Sequence, residues 1–158
     1  MNRYIAMNDT LKVFYPEGFH VMDESERSRL TAIAEGPMEC LSDPERHSMI
    51  TIGYKQIGAL TGMLLSAKDA AKSAESYVRK ALKANNYRTI GFLTKKAGGE
   101  TAEGYSFEYE AEGIPMCGET YVVKRGKAFY YLHFYTRTAY KDENLEIWNG
   151  MLASMVWE

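Results

Sequence analysis

The chain has 158 residues, of which 46% are hydrophobic and 25% charged, with a formal net charge of −2. That balance is globular rather than disordered, and the length suits one domain, residues 1–158, with a substantial core. A slightly acidic charge gives no overall attraction to nucleic acid or an anionic membrane.

Residues 4–7 and 11–15, split by Asn8-Asp9, read as a hairpin with a polar turn, ended by Pro16-Glu-Gly18. Asp23 with Glu26 forms a capping-box start to a short helix. Its apolar side would be Leu30, Ile33 and Ala34, and Gly36-Pro37 would stop it. Residues 38–48 are charged and read as irregular, with Asp43-Pro44 as a turn. Residues 49–54 alternate as a strand, with Ile50, Ile52 and Tyr54 on one face. Ile57-Gly-Ala-Leu-Thr-Gly-Met-Leu-Leu65 then sits where a connecting loop is expected, although it is apolar. Two readings stand for it: Leu60 and Met63 dock a partner, or they fold back over the core.

Ser66 with Asp69 three residues later caps the longest helix. Ala67, Ala70, Ala71, Ala74, Val78, Ala81 and Leu82 recur at helical spacing, and Asn85-Asn86 end it. Lys68, Lys72, Arg79 and Lys83 form a stripe with Glu75 among them, which reads as the solvated side. Residues 87–95 read as a strand with Ile90 and Phe92 inward, followed by a Gly98-Gly99 turn. Residues 105–111 alternate, with Tyr105, Phe107 and Tyr109 inward and Ser106, Glu108 and Glu110 outward.

Ala128-Phe-Tyr-Tyr-Leu-His-Phe-Tyr-Thr136 is the densest aromatic run and the expected central strand. An Arg125-Gly126 turn would pair it with residues 120–123, placing Val122 opposite Phe129, Thr120 opposite Tyr131 and Gly118 opposite His133. One face carries Tyr130, Leu132 and Phe134, and the other Phe129, Tyr131, His133 and Tyr135. Neither is polar, so helices are expected over both. Leu145, Trp148, Met151, Leu152, Met155 and Val156 mark a closing helix. The order of elements predicts an α+β fold, helices lying on a mainly antiparallel sheet.

Leu11-Lys-Val-Phe-Tyr-Pro-Glu-Gly-Phe19 resembles the early strand and Pro-x-Gly-aromatic signature of PsbP-like proteins. The aromatic strand 128–136 and Trp148-Asn-Gly-Met-Leu-Ala-Ser-Met-Val156 resemble that family's closing strand and helix. The resemblance implies a three-layer αβα sandwich. It also implies an accessory binding role, as in photosystem subunits, a Ran-binding import factor, DcrB-like lipoproteins and type VI effector chaperones. No family binding residue is carried over, and the chain departs from exported members in lacking a signal peptide or an early lipidated Cys.

No motif points to catalysis. There is no zinc-ligand spacing, nucleophile elbow or phosphate loop, so neither a metal nor a cofactor is expected. Cys40 and Cys117 read as buried thiols in a cytoplasmic protein, and a single bridge between them stays open. His133 among tyrosines reads first as a core-edge imidazole satisfied by a tyrosine hydroxyl, and second as a general base or proton-sensing group. The expectation is a non-enzymatic accessory protein with no membrane span and no nucleic-acid partner. Its partner would be a protein, or another copy of itself, met through Thr120, Tyr131, His133, Tyr135, Leu60 and Met63. The alternative is a small-molecule binder or hydrolase with a pocket on the Tyr131/His133/Tyr135 face.

Overall fold

The structure is a computed structural model and describes residues 3–28 and 38–158. The predicted Leu30/Ile33/Ala34 helix face and its Gly36-Pro37 stop lie outside the described residues. The first hairpin, β1 (Tyr4–Met7) and β2 (Leu11–Phe14), pairs Tyr4 with Phe14, and Asn8 and Asp9 take the left-handed turn conformation. After the two-residue β3 (His20–Val21), Asp23 caps α1 (Glu24–Arg27). The Asp23 carboxylate accepts from the Glu26 N–H at 2.8 Å, and the Glu26 carboxylate accepts from the Asp23 N–H at 3.2 Å.

Residues 38–48 are not irregular. They contain β4 (Met38–Asp43), paired antiparallel with β5 (Ser48–Gln56). Charge hid this strand: Glu39 is neutralised by Arg27 at 3.4 Å and the buried Asp43 by Arg46 at 2.7 Å, while Cys40 and Leu41 are fully buried. The 57–65 segment is not a plain loop either, since it forms α2 (Ala59–Leu64). The long helix α3 (Ala67–Ala81) starts on the Ser66/Asp69 capping box, and a short 3-10 turn follows it to the left-handed Asn86. Three long antiparallel hairpin partners come next: β6 (Arg88–Ala97), β7 (Glu100–Ala111) and β8 (Ile114–Arg125). The aromatic strand is β9 (Ala128–Arg137), and α4 (Lys141–Ser154) with β10 (Val156–Trp157) closes the chain.

The main sheet runs β3-β4-β5-β9-β8-β7-β6, so the aromatic strand is central. A second sheet, β1-β2-β10, joins the hairpin to the end of the chain. The β8–β9 turn is Gly126-Lys127, with Arg125 opposite Ala128. Gly126 alone supplies the positive φ (60°), as a turn with glycine first requires. The expected register is therefore shifted by two: Val122 faces Tyr131, Thr120 faces His133 and Gly118 faces Tyr135. An even shift preserves the faces, because side chains alternate with period two.

One face of β9, with Tyr130, Leu132 and Phe134, is buried beneath α4 and the small sheet. Trp148 of α4 stacks on Phe134 at 5.5 Å, and Leu11, Val13 and Met155 seal the layer. The other face is covered by α3, whose Ala70 and Ala71 lie on Val122 and Phe129. Alanine is what lets that helix approach the sheet closely. The result is an α+β sandwich with helices on a mainly antiparallel sheet. Glu75 leaves the expected solvated stripe: it is buried, accepting from Thr89 Oγ1 at 2.7 Å and Arg79 Nε at 3.1 Å.

Ile90 and Phe92 do not point inward, and each is 53% exposed. Strand β6 is the sheet edge, its register breaks between Thr89 and Gly91, and α3 lies mainly over β7 and β8. Both cysteines are free and buried, and β5 and β9 separate the strands that carry them. Among the described residues, no helix is long and apolar enough to cross a membrane.

Candidate functional site

The six residues singled out in the sequence fall into two regions of different character. Strand pairing places Thr51, His133, Thr120 and Tyr105 side by side across β5, β9, β8 and β7. The two-residue register shift brings Thr120 onto His133, and Thr120 Oγ1 shares a hydrogen bond of 2.8 Å with His133 Nδ1. Tyr131 and Tyr135 stack on either side of the imidazole, at 6.3 and 6.1 Å. Thr120 is 1% exposed and His133 8%, so both lie beneath the surface and do not form a contact face. Tyr131 and Tyr135 are half-buried.

Burial holds the His133 imidazole down to about 4, from an ordinary value of 6.5. It is therefore neutral at physiological pH. No carboxylate among the described residues is hydrogen-bonded to it. A general base needs an orienting partner and a route to substrate; Thr120 orients this ring, but at 8% exposure it has little access to a substrate. Burial likewise pushes the Cys40 thiol up to about 11, and Arg27 pulls weakly the other way. Such a thiol is unreactive at neutral pH. The described residues hold no group of His, Cys, Asp or Glu able to bind a metal ion.

Leu60 and Met63 are 78% and 85% exposed, and Leu64, on the same helical face, is 77% exposed. These side chains do not fold back over the core. Ile57 anchors the segment instead, packing with Ala67 and Tyr131 on Phe129, while its N–H donates to Lys127 O at 2.8 Å. Lys124 Nζ donates to the carbonyls of Gly62 and Leu65, the latter at 2.8 Å. An ammonium on those carbonyls satisfies the end of a helix too short to be stable alone. The apolar face of α2 is thus held outward by polar contacts at its base.

A third region was missed in the sequence. A shallow cleft of about 360 Å³ lies at the far end of the Tyr135 face, beyond the reach of α3. Its floor is Tyr109, Met116 and Arg137, neighbours across β7, β8 and β9. Its rim is the β4–β5 turn, with Pro44 and His47. His47 sits in the left-handed region (φ 53°), its ring 5.0 Å from that of Tyr140. Asp43 also lines the cleft, but its carboxylate is occupied by Arg46 through Nη1 at 2.7 Å and the backbone N–H at 3.2 Å. Four separate stretches of chain build this cleft, so no local motif announces it.

No family model matches the chain, and no curated protein sequence matches it. Solved structures do. The cyanobacterial PsbP (CyanoP) of Synechocystis sp. PCC 6803 aligns over 99% of this chain and 92% of its own, with a TM-score of 0.68 and 15% identity. LpqN, involved in cell envelope biogenesis of Mycobacterium tuberculosis, aligns over 92% and 82%, with a TM-score of 0.57 and 14% identity. The Saccharomyces cerevisiae Ran-binding protein Mog1p aligns over 98% and 94%, with a TM-score of 0.55 and 10% identity. The likeness covers 92–99% of this chain, so the chain has the PsbP-like fold.

Proposed function

We propose that this chain is a non-enzymatic accessory protein that holds a protein partner through α2. The observation that carries the reading is the exposure of Leu60, Met63 and Leu64 on one face of a helix that polar contacts hold away from the core. Methionine and leucine presented this way fit an apolar groove on a partner, by insertion of a short helix. The burial of His133, which leaves it little access to a substrate, is in keeping with a role without catalysis. The likeness to a Ran-binding protein supports a protein partner in general terms. Tyr131 and Tyr135 are assigned rim contacts, and Thr120 and His133 support them from below. Two free thiols suit a reducing compartment, so the proposed location is the cytoplasm.

The test is quantitative capture. Immobilised wild type is compared with a Leu60→Ser/Met63→Ser double variant, with bound protein measured by mass spectrometry and oligomer mass by light scattering. The expected result is a stoichiometric protein retained by wild type and reduced about tenfold or more in the variant, with melting unchanged. Equal retention by both proteins would refute the role of α2. A wild-type dimer that becomes monomeric in the variant would identify the partner as a second copy.

A further inference from the structure

The cleft between the β4–β5 turn and the ends of β7, β8 and β9 is separate from α2 and carries chemistry of its own. Among the described residues, no hydrogen bond or ion pair engages the Arg137 guanidinium or the hydroxyls of Tyr109 and Tyr135. Arg137 is committed only through its backbone, its N–H donating to His47 O at 3.2 Å. Arg137, Tyr109 and Tyr135 line one concavity, and among the described residues their side-chain donors have no protein partner, so they are open to an acceptor. The one carboxylate in the lining, Asp43, is 2% exposed and occupied by Arg46, so it neither neutralises Arg137 nor repels an anion strongly. Burial pushes the Tyr109 hydroxyl up to about 12 and raises that of Tyr135 as well, so both remain protonated donors at neutral pH.

We propose that this cleft binds a small organic carboxylate, the Arg137 guanidinium meeting its two oxygens and the Tyr109 and Tyr135 hydroxyls donating to them. The planar fork of arginine matches a carboxylate in a bidentate pair. Pro44, Met49 and Met116 line the rest of the cleft and receive the apolar body of the ligand. Ligand sites commonly combine such an apolar lining with a few polar groups that orient the ligand. A single guanidinium suits a monoanion better than a phosphate, which carries more charge and offers no apolar body. The cleft volume of about 360 Å³ lies at the lower end of the range for small-molecule sites, which restricts the ligand to a compact one.

The full chain is titrated with sodium benzoate, with its neutral isostere benzamide and with inorganic phosphate, while backbone amides and the arginine Nε–H groups are followed by NMR. Benzoate is expected to shift residues 42–49, 116 and 135–137 and the Arg137 Nε–H in a saturable way. Benzamide and phosphate are expected to leave them in place. Arg137→Gln is expected to weaken benzoate about tenfold or more, as loss of a charged hydrogen-bond partner does, with unchanged melting. Tyr135→Phe keeps the ring and is expected to weaken it by a smaller factor. Equal shifts with benzamide, shifts with phosphate alone, or benzoate binding indifferent to Arg137→Gln would each overturn the proposal, as would no saturable shift.

Discussion

Acidification should destabilise this fold through His133 in particular. The imidazole titrates at its ordinary 6.5 when unfolded and at about 4 when buried between Tyr131 and Tyr135. A depressed folded value means that the unfolded chain binds the proton first. The contribution is therefore complete above 6.5 and is lost as the pH falls toward 4. On going from about pH 8 to about pH 5 the unfolded ring becomes protonated below its ordinary value while the folded ring does not, so the two states differ over roughly 1.5 pH units at ~1.36 kcal/mol each, or about 2 kcal/mol. Urea unfolding followed by fluorescence of the buried Trp148 measures this at both pH values. The comparison is with His133→Phe, which keeps a flat ring and cannot titrate. That variant is expected to be less stable at every pH, because Thr120 Oγ1 loses its partner. Only the difference in pH dependence matters: wild type should lose about 2 kcal/mol more than the variant across this range. Parallel losses would show that His133 is protonated in the native state and would refute the buried, neutral imidazole.

Two further outcomes follow from the geometry. Gly118→Ala adds a Cβ that meets the Phe134 carbonyl oxygen inside van der Waals contact and lies 2.9 Å from Phe107 Cζ, in the middle of the sheet. A loss of about 3 kcal/mol or more is expected in urea unfolding, and a loss under ~1 kcal/mol would contradict the β8–β9 packing. Lys124→Met removes the ammonium that holds the Gly62 and Leu65 carbonyls while keeping the aliphatic stem. Amide exchange in residues 59–65 should quicken about fivefold, at a local cost on the order of 1 kcal/mol, with exchange in β8 and β9 unchanged. Unchanged exchange in residues 59–65 would mean that Lys124 does not hold α2.

Some features were legible because they are local. The Ser66/Asp69 and Asp23/Glu26 boxes join residues three apart, and each forms as read. Alternation in β5 and β9 assigned their faces correctly, and those assignments survived a register error because the slip was even. Other features failed for physical reasons that lie outside the local chain. The charges in β4 look like loop charges until Arg27 and Arg46 are brought beside them. Ile90 and Phe92 have the pattern of core residues, and only the position of β6 at the edge exposes them. The two readings of residues 57–65 could not be separated in the sequence, since an apolar segment buries itself or stays outside according to what lies beneath it. Here Phe129 is already covered by Ile57, Tyr131 and the alanines of α3.

The sequence by itself determined the two capped helices, the alternating strands, the α+β class and the two faces of the central strand. These follow from side-chain period and from caps that act over one turn. Tertiary structure alone decided that Thr120 and His133 lie beneath the surface, that Leu60 and Met63 stand outside it, and that Arg137 meets Tyr109 and Tyr135 in one cleft. Exposure and convergence depend on which strands become neighbours. Pairings between residues far apart in the chain leave no trace in any local stretch.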